Sequence, residues 1–212
     1  MYANTTGIGS TAVGFNALVN NTTGSGNFAF GGTVPGSYNA ALYANTTGYN
    51  NAAFAGAALA ANTTGNSNSA FGVGALYSNT TASINTAVGY QSLYSTTTGG
   101  GNTAIGYQAA YSNQTALRLV AIGDRALCSN TAGYNVAVGA FALYSNTTGV
   151  ANLAIGTYWD GTAPSPLYSN TTGQQNVAVG NNTLRNNISG NFNVAIGYLS
   201  LQCNTIGTSN LA

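Results

Sequence analysis

Residues 135–151 read NVAVGAFALYSNTTGVA, and the same pattern starts again at Asn152. The alanine of its Ala-Val-Gly core recurs along the chain at steps of 17 residues, with two steps of 24 and one of 16. These marker residues are Ala12, Ala29, Ala53, Ala70, Ala87, Ala104, Ala121, Ala137, Ala154, Ala178, Ala195 and Ala212. A repeat of this length, too short for a helix pair and rich in Gly, Asn and Thr, is typical of a β-solenoid in which each repeat forms one coil.

The repetition predicts one all-β domain over residues 1–212, a parallel β-solenoid of about twelve coils and roughly 55 Å in length. Helical repeats are excluded because NTTG interrupts the chain too often for a helix. Two coils are longer by seven residues (24 − 17), near residues 32–38 and 157–164. Both are expected to leave the solenoid at the same corner.

Each coil is expected to contain two short strands, roughly NxAVG and ALYSN. Strand alternation places Val194 and Ile196 on one side of the first strand and Ala195 on the other, and we expect the larger pair to face the interior. A leucine column, with Ala110 as its one substitute, forms the second apolar row. The tyrosines beside it are expected outside. The leucines are Leu18, Leu42, Leu59, Leu76, Leu93, Leu127, Leu143, Leu167, Leu184 and Leu201.

Glycines and asparagines also recur in columns. The glycine columns through Gly139 and Gly149 mark two corners where a positive φ is expected. Two asparagine columns, one before the core and one opening the NTT turn, predict side-chain amides that hydrogen-bond from coil to coil as ladders. The ladder before the core comprises Asn27, Asn51, Asn68, Asn85, Asn102, Asn135, Asn152, Asn176 and Asn193.

The NTT turns are also Asn-x-Thr glycosylation sequons, and a sugar coat would keep a chain with few charges soluble. The competing hypothesis is a turn whose asparagine caps its own backbone and joins the second ladder. Glycans on successive coils only about 4.8 Å apart would be crowded, which favours the turn. Partial occupancy stays open. The candidate acceptors are Asn4, Asn21, Asn45, Asn62, Asn79, Asn113, Asn146, Asn170 and Asn187, and further sequons start at Asn20 and Asn181.

Charged residues make up 2% of the chain, with a net charge of +1 and no His. A basic patch for nucleic acid or anionic lipid is absent from the sequence, as is an apolar run long enough to cross a membrane. The residues for general acid–base or nucleophilic catalysis and for metal binding are missing too. We therefore expect no enzyme, no cofactor, no nucleic acid and no membrane insertion.

Three charges fall in one coil, at Arg118, Asp124 and Arg125, and a local salt bridge is expected there. The two cysteines, Cys128 and Cys203, are four repeats apart and are expected to be unpaired.

One segment has residues suited to binding a ligand. Tyr158, Trp159 and Asp160 lie together in the second long coil and combine aromatic rings with an acid, which suits stacking on a sugar ring and hydrogen-bonding its hydroxyls. The alternative is a loop whose Trp159 covers the coil beneath it.

Residues 193–197 read NVAIG, and NVAVG at 135–139 and 176–180, NLAIG at 152–156 and NTAIG at 102–106 are variants of the same motif. These motifs resemble the head repeat of YadA-type trimeric autotransporter adhesins, built on N-S-V-A-I-G, and are similar to repeat arrays in bacteriophage tail fibres. The resemblance implies a left-handed parallel β-roll, commonly trimeric, exposed outside a cell or on a virion and used for attachment. The 17-residue coil and the extra NTTG turn depart from that family pattern.

The expected function is a structural or adhesive segment of an extracellular or cell-surface fibre. Its partner is expected to be a copy of itself, in an end-to-end filament or a trimer, and surface glycans are a further candidate. A bacteriophage tail-fibre shaft, on the virion surface, is one alternative. An ice-binding solenoid is another, but it needs Thr-x-Thr, whereas Thr22 and Thr23 are adjacent and are expected to point to opposite faces.

Overall fold

The computed structural model describes residues 3–33, 39–157 and 165–212. All strands in these ranges belong to one parallel sheet, in which each strand pairs with the next in sequence order. The chain is therefore an all-β solenoid, as predicted. The strands β1 to β11 are Thr11–Val13, Phe28–Phe30, Ala52–Phe54, Ser69–Phe71, Thr86–Val88, Thr103–Ile105, Val120–Ile122, Val136–Val138, Leu153–Ile155, Val177–Val179 and Val194–Ile196.

The register stacks equivalent residues directly on one another. Ala87 pairs with Ala70 before it and with Ala104 after it. The twelfth marker position is represented by an isolated parallel bridge from Val194 to Leu211. The predicted columns are thus confirmed, and left-handedness of the coil stays a prediction.

Within the described residues only one strand forms in each coil, so the second predicted strand is wrong. The ALYSN segment is a turn in which the leucines adopt the left-handed conformation, with φ of 51° at Leu59 and 52° at Leu76. The N–H of Leu59 donates to the carbonyl of Ala75 in the next coil at 3.0 Å. Positive φ costs a leucine about 1–2 kcal/mol. Complete burial of the side chain offsets that cost.

The expected orientation of the strand is also wrong, because its central alanine faces inward. Ala195 is fully buried, whereas Ile196 is 63% exposed. The interior is filled by the alanine column, the leucine column and the asparagines two positions before most of the alanines, with Leu119 in that place in one coil. That thin interior has space for alanine at the strand centre, and the larger β-branched residues therefore lie on the outer face.

The two glycine columns have different physical causes. Gly139 adopts the expected positive φ of 124°. The column through Gly149 was expected to do the same, and it does not. A Cβ on Gly149 would lie 2.3 Å from the carbonyl oxygen of Gly173 in the next coil. Glycine is needed at this second corner because two backbones approach closely.

Candidate functional site

The asparagine column before the core forms hydrogen-bonded networks in the interior, one up to Asn102 and one from Asn135 onward, with Leu119 between them. The Oδ1 of Asn51 accepts the backbone N–H of Asn68 at 3.0 Å, and its Nδ2 donates to the carbonyl of Gly65 at 2.8 Å. The same pattern recurs one coil later, where Asn85 donates its N–H to the Oδ1 of Asn68 at 3.0 Å. This ladder satisfies polar groups at the turn that a purely apolar core would leave unpaired.

The asparagines of the NTT turns form the second ladder. The Nδ2 of Asn62 donates to the Oδ1 of Asn45 at 2.7 Å and to the carbonyl of Gly65 at 3.0 Å. Every acceptor candidate from Asn21 to Asn187 in that column is fully buried, whereas Asn4 is exposed. Because a glycan must be joined to the same Nδ2 nitrogen, this burial disfavours glycosylation of the folded coils. Glycosylation of Asn4 stays a prediction.

The outer face of the sheet carries two rows of exposed or half-buried side chains, here called the apolar strip. Its outer row, the third residue of each strand, is aliphatic or aromatic in all eleven strands. Ile105 is 39% exposed and Ile122 is 37% exposed. The outer row is Val13, Phe30, Phe54, Phe71, Val88, Ile105, Ile122, Val138, Ile155, Val179 and Ile196.

The inner row of the apolar strip, the first residue of each strand, is more varied. It includes Phe28, Ala52, Ser69 and three threonines before it becomes uniformly aliphatic from β7 onward. No charged residue occurs in either row of these eleven strands. The alternation that sequence analysis recognised is the signal for this surface, although it was assigned to the wrong side.

Aromatic rings stack along the outside of the solenoid. Phe54 and Phe71 have ring centroids 4.7 Å apart, and Tyr94 lies 5.0 Å from Tyr77 and 5.1 Å from Tyr111. Their faces cover one another, which leaves mainly ring edges for a ligand. Burial raises the pKa of the Tyr94 hydroxyl above its usual 10.0, and the neighbouring tyrosines, Tyr77 first, raise it further.

The salt bridge predicted at residues 118–125 is replaced by a different contact. The guanidinium of Arg125 lies between two rings, 5.2 Å from the centroid of Tyr107 and 5.7 Å from that of Phe141, and its Nε donates to Gln108 at 3.4 Å. The aromatic columns offer this cation a better site than exposed Asp124 does. Both cysteines are free, and burial raises the pKa of the Cys128 thiol.

The proposed ligand residues Tyr158, Trp159 and Asp160 lie outside the described residues. Within residues 3–33, 39–157 and 165–212 there is no group of three or more His, Cys, Asp or Glu side chains that could hold a metal ion. The same ranges contain no helix long and apolar enough to cross a membrane.

No protein-family model, curated protein or solved structure matches the chain. The resemblance to adhesin head repeats therefore depends on the NVAIG-type motifs and on the columns that they form.

The two threonines of each NTT turn are used differently. The hydroxyl of Thr46 donates to the carbonyl of Thr63 in the next coil at 3.1 Å, and Thr63 does the same to Thr80 at 3.0 Å. The second threonine, Thr47 or Thr64, is exposed. Each turn thus has one threonine hydroxyl committed to the backbone and one at the surface, which gives a single row of exposed threonines.

Proposed function

We propose that the chain is a structural segment of a fibre in which copies of the solenoid pack side by side through the apolar strip. The observation that carries this proposal is the unbroken outer row of Val, Ile and Phe on all eleven strands. Single exposed apolar residues are ordinary, but a continuous strip is typical of an interaction surface. With ten steps between eleven strands, the strip is about 48 Å long.

A second copy of the chain is the partner whose chemistry and spacing fit this strip. The strip carries no charge that would select an oppositely charged protein. Its side chains repeat every 4.8 Å or so, the spacing of stacked strands. The strip of another copy has the same repeat, so every coil can bury its outward residues against a coil of the partner.

Side-chain volume favours copies that run in the same direction and in the same register. The inner row is smallest at Ala52 and Ser69, beside the bulky Phe54 and Phe71 of the same strands. In a parallel, cyclic assembly the outer row of one copy meets the inner row of the next copy at the same level. The large rings then lie over small residues, as close packing requires. Only β2, with Phe28 and Phe30, carries two large rings.

Sedimentation of the chain tests this proposal. Replacing both Ile105 and Ile122 by Ser removes two apolar side chains from the middle of the strip, and we expect the assembly to dissociate at concentrations where the wild-type chain is associated. The matched control replaces Ile84 and Ile188, which are exposed on the turns, by Ser and should associate like wild type. A monomeric wild-type chain, or equal association of both variants, would overturn the proposal.

The motif resemblance supports a more specific role, attachment by a fibre on a cell or virion surface. Binding of the chain to cells, compared with binding by a Trp159→Ala variant, tests that role. For ice binding, the single row of exposed threonines gives less support than two rows would, and thermal hysteresis is the test.

A further inference from the structure

A groove of about 390 Å³ crosses the turn side of three neighbouring coils. It exists because Gly100 and Gly101 remove two adjacent side chains from the surface. The preceding coil has Ser83 and Ile84 at the same positions, and the following coil has Leu117 and Arg118. The regular solenoid surface is therefore hollow here, with an apolar residue on either side of the hollow.

Three backbone N–H groups at this groove, those of Ser83, Gly100 and Leu117, lack the side-chain acceptor that Tyr49 and Asn66 have in the same column. The N–H of Tyr49 donates to the Oδ1 of Asn66 in the next coil at 2.9 Å, and the N–H of Asn66 donates to the Oγ of Ser83 at 2.9 Å. The next two members of this column are Gly100 and Leu117, which have no side-chain oxygen. The N–H groups of Ser83 and Gly100 consequently have no acceptor in the described part of the chain.

The geometry of the column directs the Ser83 N–H toward the hollow. Because the coils stack in register, the N–H of Ser83 points toward the coil of Gly100, as the N–H of Asn66 points toward Ser83. A Cβ on Gly100 would lie 2.9 Å from the Ser83 carbonyl oxygen and 3.7 Å from the Ser83 nitrogen, so the two backbones approach closely here and the missing side chain leaves the Ser83 N–H uncovered. An oxygen atom of a ligand can occupy the space of the missing side chain.

Arg118 brings a positive charge to the edge of the same hollow. Its side chain is exposed and its Cγ lies 3.5 Å from the position that a Cβ on Gly101 would take. It is one of only three cationic residues in a chain of 212. The structure gives its guanidinium no acidic partner among the described residues.

We propose that this groove binds a small sugar acid through its carboxylate or sulfate group. The oxyanion accepts the N–H of Ser83 and pairs with the guanidinium of Arg118, donors that suit oxyanions. Ile84 and Leu117 then contact the apolar face of the sugar ring. This site is separate from the apolar strip and does not depend on fibre assembly.

Saturation-transfer NMR on the full chain at low ionic strength tests the site, because the method tolerates large assemblies. The probes are D-glucuronate, D-glucose 6-sulfate and D-glucose. We expect both anionic sugars to bind and neutral glucose not to bind, and the tighter of the two identifies the preferred oxyanion. Equal binding of glucose, or no binding of either anion, would overturn the proposal.

Two variants locate the binding. Arg118→Gln is expected to weaken binding of the anionic sugars by about tenfold through loss of a charge-assisted contact. Gly100→Ser is expected to abolish it, because its hydroxyl would fill the hollow and accept the Ser83 N–H, as the hydroxyl of Ser83 does for Asn66. Because a Cβ at position 100 would lie 2.9 Å from the Ser83 carbonyl oxygen, this variant requires a local backbone shift, and Arg118→Gln is the variant that leaves the backbone unchanged.

Matched controls make the same chemical changes elsewhere. Arg185→Gln removes a cation from a different column, and Val150→Ser adds a hydroxyl to the column of Gly100 three coils away. Both should bind the anionic sugars like wild type. If Arg118→Gln and Gly100→Ser also bind like wild type, the sugars bind elsewhere and the proposal is wrong.

Discussion

The side-chain carbonyl oxygen of Asn79 is buried without a hydrogen-bond donor because Thr96 stands where the next asparagine of the NTT ladder belongs. The hydroxyl of Thr96 donates instead to the carbonyl of Asn113 at 3.0 Å. The ladder is therefore interrupted at Thr96, and leaving a buried acceptor unsatisfied costs about 1–3 kcal/mol.

Replacing Thr96 by Asn should stabilise the chain by about 1–2 kcal/mol. The new Nδ2 would donate to the Oδ1 of Asn79, as Asn79 donates to Asn62 at 2.6 Å. Thermal unfolding should show a midpoint higher by about 2–8 °C. The control Thr98→Asn changes an exposed residue outside the ladder and should leave the midpoint unchanged. A lower midpoint for Thr96→Asn would contradict the ladder account.

Removing an intact member of that ladder should have the opposite effect. Asn62→Ala deletes the donor to Asn45 and the acceptor of Asn79, and the loss of unfolding free energy should be about 2–4 kcal/mol. Asn4→Ala, in the same column but exposed at the first coil, should cost less than about 1 kcal/mol. Denaturant unfolding measures both, and similar losses would show that burial of the ladder contributes little.

Because the alanine column faces inward, substitutions at neighbouring strand positions should differ markedly in their effect on the free energy of unfolding. Ala104→Val should destabilise the chain by about 1–3 kcal/mol because the added methyl groups have no space in the interior. Thr103→Val changes the adjacent outward residue and should alter the unfolding free energy by less than about 0.5 kcal/mol. If Thr103→Val proved the more damaging of the two, the original assignment of the faces would be right.

Alkaline pH should destabilise the tyrosine stack. The pKa of Tyr94 is raised in the folded chain above 10.0, so its contribution to stability is fully present below pH 10.0 and is lost as the pH rises through the folded-state pKa. Tyr94→Phe keeps the ring stack and should reduce this loss, as followed by unfolding at several alkaline pH values. Tyr134→Phe, an exposed tyrosine, is the control. Identical alkaline profiles for wild type and Tyr94→Phe would contradict the assignment.

The solenoid, its register and both ladders could be predicted because identical residues at a fixed period must stack when each repeat is one coil. The orientation of the strand could not be predicted in this way. Hydrophobicity favours Val194 and Ile196 over Ala195 for the interior, whereas the thin interior has space only for the smaller alanine. The left-handed leucines were equally hidden, because leucine rarely adopts positive φ. At these leucines, the contacts of the buried side chain decide the backbone conformation, and the residue's own preference does not.

The sequence carries a signal for the groove. Gly99, Gly100 and Gly101 form a run of three glycines where other coils carry side chains. The glycine run alone does not predict a binding site, because the hydrogen-bond donors and the charge come from the neighbouring coils. The structure places Ser83 and Arg118 beside the run.

The central claim is that copies of the chain pack side by side, in parallel and in register, through the apolar strip. Its most direct test is pulsed electron paramagnetic resonance with one nitroxide label at Ile105→Cys, in a chain whose Cys128 and Cys203 are replaced by Ser. Parallel, in-register packing brings equivalent labels across facing sheets to about 10–20 Å, whereas a label at Thr98→Cys, on the turn, should give longer distances. The absence of a short distance at position 105, or a shorter one at position 98, would contradict the claim.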